Sequence, residues 1–148
     1  MGQELADASD LIDQALGTRP TTFAYPCGQK FVGRGVDVQS YVPLVAKSFL
    51  AGRGYRDQNA NDPSVCDLAQ LLGRDADNWP ASTIKTWIDE AVQKGLWLVL
   101  VGHAVGGSSP LGIAIDNLEE LCRYASDPEL GLWVDTVANV AAWIARGR

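Results

Sequence analysis

The chain has 148 residues, of which 47% are hydrophobic, and its 18 acidic and 12 basic residues give a formal net charge of −6. This length and hydrophobic content predict one compact domain over residues 1–148, with a core of its own. No apolar run reaches the about 18 residues that a bilayer span requires. No basic cluster suited to gripping phosphates is present either, so neither a membrane nor a nucleic acid is an expected partner.

The first half of the chain alternates helix and strand signals. Gly17 follows a run of apolar residues at helical spacing and predicts a helix end. Pro26 ends a stretch of β-branched and aromatic residues that is typical of a strand. The predicted elements of this half are a helix over 4–16, a strand over 21–25, a helix over 38–51, and short strands over 54–57 and 67–72.

The second half continues the alternation. Ser82 is predicted to cap a helix that Gly95 ends. The predicted elements are this helix over 82–94, a strand over 97–101, a helix over 116–126, a strand over 132–136, and a helix over 137–145. Such alternation predicts an α/β fold, with a mostly parallel sheet of about five strands and flanking helices, either open or as part of a barrel.

The three cysteines, Cys27, Cys66 and Cys122, have neither the spacing of a zinc site nor the even number of a disulfide framework. We therefore expect reduced thiols and a cytoplasmic location. Residues 1–6 lack the basic and apolar regions of a signal peptide, which supports the same expectation.

The run over 96–107 contains the only histidine of the chain, His103. It follows the apolar stretch 97–101, which is typical of a buried parallel strand, and glycines and serines follow it at 106–109. Because α/β folds bind ligands at the carboxyl ends of their strands, His103 is a candidate functional residue. The alternative is a histidine that only caps the strand by bonding a backbone carbonyl.

The segment Gly102–Gly107 resembles at first the G-x-S-x-G turn that carries the nucleophile of α/β-hydrolases. Ala104 stands where that turn needs a serine, and no histidine follows His103. Both departures exclude that mechanism for this chain.

Three segments resemble, in their order and approximate spacing, polysaccharide deacetylases with a NodB-type domain: TFAYPCG at 22–28, WLVLVGH at 97–103 and LWVDTV at 132–137. The resemblance implies a distorted (β/α) barrel, and a divalent metal that activates water against an acetyl group on a sugar polymer. It covers nearly all of this chain but only the later part of the family's domain. The family's early Asp-Asp and H-x-x-x-H motifs are not in this sequence. We therefore expect a partial barrel without the N-terminal strands, in which a metal such as zinc would need ligands recruited outside those motifs.

The resemblance also implies roles for single residues. His103 matches a late histidine of the family that acts as a general acid, and Cys27 lies in a turn whose backbone N–H contributes to the oxyanion hole. Tyr25, Leu100 and Val101 are the expected substrate-binding residues, the last two beside the acetyl methyl. A core position is the alternative for Leu100 and Val101.

Two acidic segments complete the candidates. Asp57 could orient His103 or bind a metal, and the alternative is a solvated ion pair with Arg56. The segment DADNW at 75–79 resembles loosely the family's motif of acidic residues and tryptophan. Its spacing differs, so we interpret it as a loop whose Trp79 packs on the core.

Two classes of function follow. The first is a hydrolase related to polysaccharide deacetylases that acts on ester, amide or similar bonds of a small molecule or carbohydrate, with His103 as general acid/base. A sharper variant makes Cys27 a nucleophile and His103 its base. The second class is a non-catalytic remnant or interaction module. In either case we expect a homodimer, because a barrel without its early strands exposes sheet edges that invite pairing.

Overall fold

The computed structural model describes residues 1–107 and 109–148. Its helices are α1 Gly2–Leu16, α2 Val42–Ser48, α3 Ala81–Lys94, α4 Ile115–Ala125 and α5 Val137–Arg146. Its strands are short: β1 Thr22–Ala24, β2 Phe31–Val32, β3 Gln39–Ser40, β4 Ala51–Arg53, β5 Arg74–Asp75 and β6 Leu100–Val101. The predicted mixture of helices and parallel strands is confirmed, and the described residues form no closed barrel. The predicted sheet of about five strands is wrong for these residues, because the short strands pair only two by two: β1 with β4, β2 with β3 and β5 with β6. No helix in this described part is long and apolar enough to cross a membrane.

The chain divides into two compact units. Unit 1 comprises Met1–Gly54, Cys66–Leu71 and Thr136–Arg148, and unit 2 comprises Tyr55–Val65 and Leu72–Asp135. Each unit holds helices and at least one pair of parallel strands. The expectation of a single domain over 1–148 stays a prediction.

Unit 1 is built on the parallel pair of β1 and β4. Thr22 lies opposite Ala51, and Ala24 lies opposite Arg53. Arg53 in turn pairs in parallel with Leu71, which extends the ladder by one residue. β2 and β3 form a separate antiparallel pair. Apolar and aromatic side chains fill the core beneath these strands: Leu5, Tyr25, Tyr41 and Val45, with Phe23, Val42 and Phe49 packed against them.

Gly52, in the middle of β4, has no room for a side chain. A Cβ atom there would lie 2.9 Å from the Ala69 carbonyl oxygen, from the Tyr25 ring and from a Val45 methyl. The Tyr25 hydroxyl donates a hydrogen bond to the same Ala69 oxygen at 2.8 Å. The absence of a side chain at Gly52 therefore lets a strand, a core helix and a buried hydrogen bond meet at one point.

Unit 2 is built on the parallel pair of β5 and β6, in which Arg74 lies opposite Leu100 and Asp75 lies opposite Val101. Helices α3 and α4 pack on each other. The amphipathic spacing of α3 explains this packing, because its apolar residues recur on one face. The core of the unit comprises Ala76, Ala81, Ile84, Trp87, Ile88 and Leu121.

Side-chain hydrogen bonds fix the conformation of the polypeptide before β5. The Asn61 amide, in a residue that is 3% exposed, donates to the Leu72 and Trp97 carbonyls at 3.0 and 3.2 Å. Its oxygen accepts from the Leu72 N–H at 2.8 Å. The Asp57 N–H donates to the Gly73 carbonyl at 3.1 Å, and the Gly73 N–H donates to Asp57 Oδ2 at 2.9 Å. These bonds satisfy backbone groups that the short strands leave without ladder partners.

Two elements predicted in the first half of the chain are wrong: the helix over 38–51 and the strand over 54–57. The helix predicted over 38–51 is shorter, because the chain pairs in β3 before it and Pro43 lies in the first turn of α2. Ala51 belongs to β4 instead. The strand predicted over 54–57 does not form, because the strand ends at Arg53 and Arg56 adopts a left-handed backbone with φ 62°.

Local side-chain bonds explain a further error. The strand predicted over 67–72 is mainly a short 3₁₀ turn, begun by Asp67, whose side chain accepts from the Ala69 N–H. The strand predicted over 132–136 is not formed in the described structure. The helix that follows it begins with the Thr136 side chain accepting from Asn139 N–H, as an N-cap does.

The boundaries around α3 and β6 are partly as predicted. Gly95 ends α3 in the left-handed conformation, as expected, with φ 64°. The helix begins one residue before Ser82, after Pro80, so the predicted Ser82 cap is wrong. The predicted strand 97–101 is reduced to β6, because Trp97 pairs antiparallel with a different segment.

Candidate functional site

The register of β5 against β6 brings an acidic side chain and the histidine together. Asp75 lies opposite Val101, and Asp77 and His103 each come two residues later, so both follow the same end of the β5–β6 pair. His103 Nδ1 lies 2.5 Å from Asp77 Oδ2. The His103 backbone N–H donates to Asp77 Oδ1 at 3.0 Å. One carboxylate therefore holds both the ring and the backbone of His103.

The two partners differ in their exposure to solvent. The Asp77 side chain is 1% exposed, whereas the His103 side chain is 47% exposed. Burial by itself would raise the pKa of the Asp77 carboxyl, but the two hydrogen bonds and the charge of His103 outweigh it and hold that pKa below its ordinary value. Because an ionised carboxylate can only accept hydrogen bonds, Nδ1 carries the proton. This leaves Nε2 as the ring nitrogen that can exchange a proton with a ligand.

The lowered pKa of Asp77 predicts a loss of stability in acid. A carboxyl whose pKa is lower in the folded chain stabilises the fold above its unfolded pKa of about 3.9, and this contribution disappears as the pH falls through the folded pKa. We expect the thermal midpoint of the wild type to exceed that of Asp77→Asn at pH 6, and the gap to shrink as the pH falls below about 4. Circular dichroism melts over this pH range measure the gap. A constant gap across the range would contradict the assignment.

Close backbone approach shapes the surroundings of the pair. A Cβ atom on Gly102 would lie 3.4 Å from Asp77 Oδ1 and 3.3 Å from an Ile113 methyl. Beyond His103 the chain folds back, with the Ile113 N–H donating to the Ala104 carbonyl at 2.8 Å and the Gly106 N–H to the Ile113 carbonyl at 2.9 Å. The predicted glycine and serine loop includes Ser108, which lies outside the described residues.

A tyrosine and an arginine flank the pair. The Tyr55 ring meets the His103 ring edge to face, with 5.2 Å between centroids and an interplanar angle of 80°. Burial raises the pKa of the Tyr55 hydroxyl, which lies close to Arg56 and Asp75. That hydroxyl has no partner at hydrogen-bonding geometry among the described residues. The imidazole is thus restrained by a carboxylate and by an aromatic ring.

The other predicted residues of unit 2 lie as follows. Val101 is 7% exposed and belongs to the core, whereas Leu100 is 40% exposed, so this strand is not buried on both faces as the sequence predicts. Asp57 uses Oδ2 to accept from the Gly73 N–H, and the His103 ring bonds to Asp77. The roles predicted for Leu100, Val101 and Asp57 stay predictions.

Cys27 and Tyr25 belong to unit 1. Tyr25 is 1% exposed, which gives it a structural part in the core of that unit. Cys27 is exposed and adopts a left-handed backbone with φ 52°, in a turn that the Gly28 N–H closes by donating to the Tyr25 carbonyl at 2.9 Å. The predicted variant with Cys27 as nucleophile and His103 as its base stays a prediction, as do the predicted roles in substrate binding and oxyanion stabilisation.

Sequence reasoning missed Asp77, because it interpreted 75–79 as a loop. The missing signal was positional: Asp77 follows β5 by the same two residues by which His103 follows β6. Trp79 of the same segment contacts the Trp87 ring edge to face, at 5.5 Å between centroids, and is 42% exposed. It packs on the core with one part of its ring only.

The resemblance implies a divalent metal, and the side chains of the described residues do not fit one. Among the described residues, no three side chains of His, Cys, Asp or Glu come together in an arrangement that could hold a metal ion. We therefore assign no step to a metal. Comparisons of the chain with protein-family models, with curated proteins and with solved structures found no match.

Proposed function

We propose that unit 2 carries the general acid–base group of a hydrolase, with His103 moving the proton and Asp77 orienting its ring. The observation that supports this proposal is the bond from a buried carboxylate to Nδ1 of a half-exposed imidazole. A surface histidine that only caps a strand has no need of such a carboxylate. Perturbed and buried acidic groups beside an accessible histidine are typical of functional sites.

The proposed proton transfers use Nε2. As a base, Nε2 takes a proton from the water that attacks an acyl carbonyl carbon, and the new C–O bond gives a tetrahedral intermediate. As an acid, the same nitrogen returns that proton to the leaving oxygen or nitrogen when the acyl bond breaks. Asp77 stabilises the imidazolium between the two transfers without taking its proton.

The substrate class comes from the sequence resemblance. Polysaccharide deacetylases remove acetyl groups from sugar polymers, so we propose an ester or amide of an acylated carbohydrate as the substrate. The finer fold proposed with it is a partial (β/α) barrel without the N-terminal strands of that family. Assembly as a homodimer belongs to the same proposal.

The test is turnover of three acyl compounds: an activated acetate ester, an O-acetylated sugar and an N-acetylated amino sugar. We expect His103→Ala to lower the turnover of whichever compound reacts at least about 100-fold. Asp10→Asn serves as the control, because it removes a carboxylate from an exposed ion pair with Arg19. Circular dichroism checks that both variants stay folded.

Three results would contradict the proposal. Equal turnover by His103→Ala and the wild type would remove His103 from the chemistry. Loss of turnover in Cys27→Ser with full retention in His103→Ala would favour a thiol mechanism. Absence of turnover with all three compounds, with and without added zinc, would favour a non-catalytic interaction module.

A further inference from the structure

A second carboxylate, that of Asp75, contacts the backbone of Asp77. Asp75 Oδ1 accepts from the Asp77 backbone N–H at 3.0 Å, and Asp75 Oδ2 accepts from Arg56 Nε at 3.3 Å. The Asp75 side chain is 13% exposed, whereas that of Arg56 is 59% exposed. Both oxygens of a sheltered carboxylate are thus used, one on the backbone that carries Asp77 and one on a cation.

Tyr55 connects Arg56 back to His103, so these contacts form a closed cycle. The Arg56 guanidinium lies over the Tyr55 ring, 5.1 Å from its centroid, and the Tyr55 ring meets the His103 ring edge to face. The contacts therefore run from His103 to Asp77, Asp75, Arg56 and Tyr55, and back to His103. Because each member contacts two others, no single side chain can rotate without breaking a contact.

The turn that presents Arg56 is held in a strained conformation. Arg56 has φ 62°, a left-handed backbone that residues with a side chain rarely adopt. The next residue, Asp57, exchanges two hydrogen bonds with Gly73, which immediately precedes β5. Strain of this kind persists where surrounding bonds determine the conformation, and it concentrates at functional sites.

We propose that Asp75 is a positioning residue for His103, acting through Asp77, and that Arg56 fixes Asp75 for this purpose. By holding the Asp77 N–H, Asp75 fixes the direction from which the Asp77 carboxylate meets the imidazole. The imidazole then keeps its proton on Nδ1 and presents Nε2. The effect on turnover rests on the proposed function, whereas the effect on the imidazole needs no substrate.

The presence of a single histidine makes the test direct, because every imidazole signal comes from His103. Two-bond proton–nitrogen correlation spectra at alkaline pH identify which ring nitrogen carries the proton. We expect one tautomer, protonated at Nδ1, in the wild type and a mixture of both tautomers in Asp75→Ala. We also expect kcat of Asp75→Ala to fall about 10- to 100-fold with KM unchanged, as for other supporting partners of catalytic groups.

Matched variants separate positioning from a general effect on folding. Asp75→Asn keeps an oxygen for the Asp77 N–H and loses the ion pair with Arg56, so we expect a smaller change than in Asp75→Ala. Asp10→Ala removes an exposed Asp–Arg ion pair with the same change of charge, and we expect wild-type spectra from it. If Asp75→Ala does not fold, Arg56→Gln replaces it, and a shift toward the tautomer mixture is expected there too.

An unchanged tautomer in folded Asp75→Ala, or in Arg56→Gln where the first variant does not fold, would overturn the inference. A tautomer mixture in a chain that hydrolyses none of the test compounds would overturn the proposed function and support the positioning role. The two proposals can therefore fail separately.

Discussion

Asp77→Asn is expected to lower kcat of the proposed hydrolysis about 1,000-fold, although the substitution changes only one atom of the side chain. The reason is the hydrogen bond that the other carboxylate oxygen makes. Asp77 Oδ1 accepts from the His103 backbone N–H, so an asparagine must keep its oxygen there and turn its NH₂ group toward Nδ1. Two donors cannot share a hydrogen bond, so the imidazole moves its proton to Nε2. Once Nε2 carries the proton of the neutral imidazole, it has no free lone pair with which to accept another.

Two measurements check this expectation. Steady-state kinetics give kcat, and the correlation spectrum of His103 should show a single tautomer protonated at Nε2, distinct from the mixture expected for Asp75→Ala. Asp10→Asn makes the same chemical change at an exposed ion pair and should leave both readouts unchanged. A kcat within about threefold of the wild type, in a variant that carries the Nε2 proton, would contradict the role of Nε2 as the base.

Gly52→Ala is expected to lower the free energy of unfolding by about 2–3 kcal/mol. The added methyl would lie 2.9 Å from three groups, one of which is the Ala69 backbone carbonyl and cannot turn away as a side chain can. Relief requires a shift of the β4 backbone away from Ala69, and any displacement of the Tyr25 ring endangers the hydrogen bond from Tyr25 to Ala69. Urea unfolding followed by circular dichroism measures the difference.

Gly147→Ala is the matched control for that experiment. A Cβ atom at Gly147 meets its nearest neighbours at 3.7 and 3.9 Å, which is ordinary contact. We expect its free energy of unfolding to stay within about 0.5 kcal/mol of the wild type. Equal destabilisation by the two alanines would mean that close packing at Gly52 is not the cause.

In the described part of the chain, the helices other than α2 and the strand β1 were predictable, whereas β2, β3, β4 and β5 were not. The periodic apolar pattern of α1, α3 and α5 is local, so it predicts these helices to within two residues of their observed bounds. β5 consists of Arg74 and Asp75, neither of which favours a strand by itself. Its conformation comes from pairing with β6, which is distant in sequence, and a single sequence does not reveal that register.

The same limit applies to the candidate site. His103 was predictable because it comes two residues after the apolar run 97–101. Asp77 was not, because its importance depends on which strand lies beside β5. Arg56 was expected at a strand end, and its strained turn instead results from the bonds between Asp57 and Gly73. Residues that act through a partner strand or a bonded turn are thus hidden from patterns of spacing.

The backbone bond from the His103 N–H to Asp77 links the end of the β5–β6 ladder to the proposed chemistry. Its acceptor is a side chain, so this amide is protected from exchange with deuterated water only while Asp77 stays in place. The Ala76 N–H, which donates to the Val101 carbonyl at 2.9 Å, reports on the neighbouring ladder. Faster exchange at His103 than at Ala76 would therefore report openings of the carboxylate alone. When reclosing is fast, the observed rate at His103 divided by the rate of the same amide unprotected gives the fraction of time that its N–H spends without Asp77.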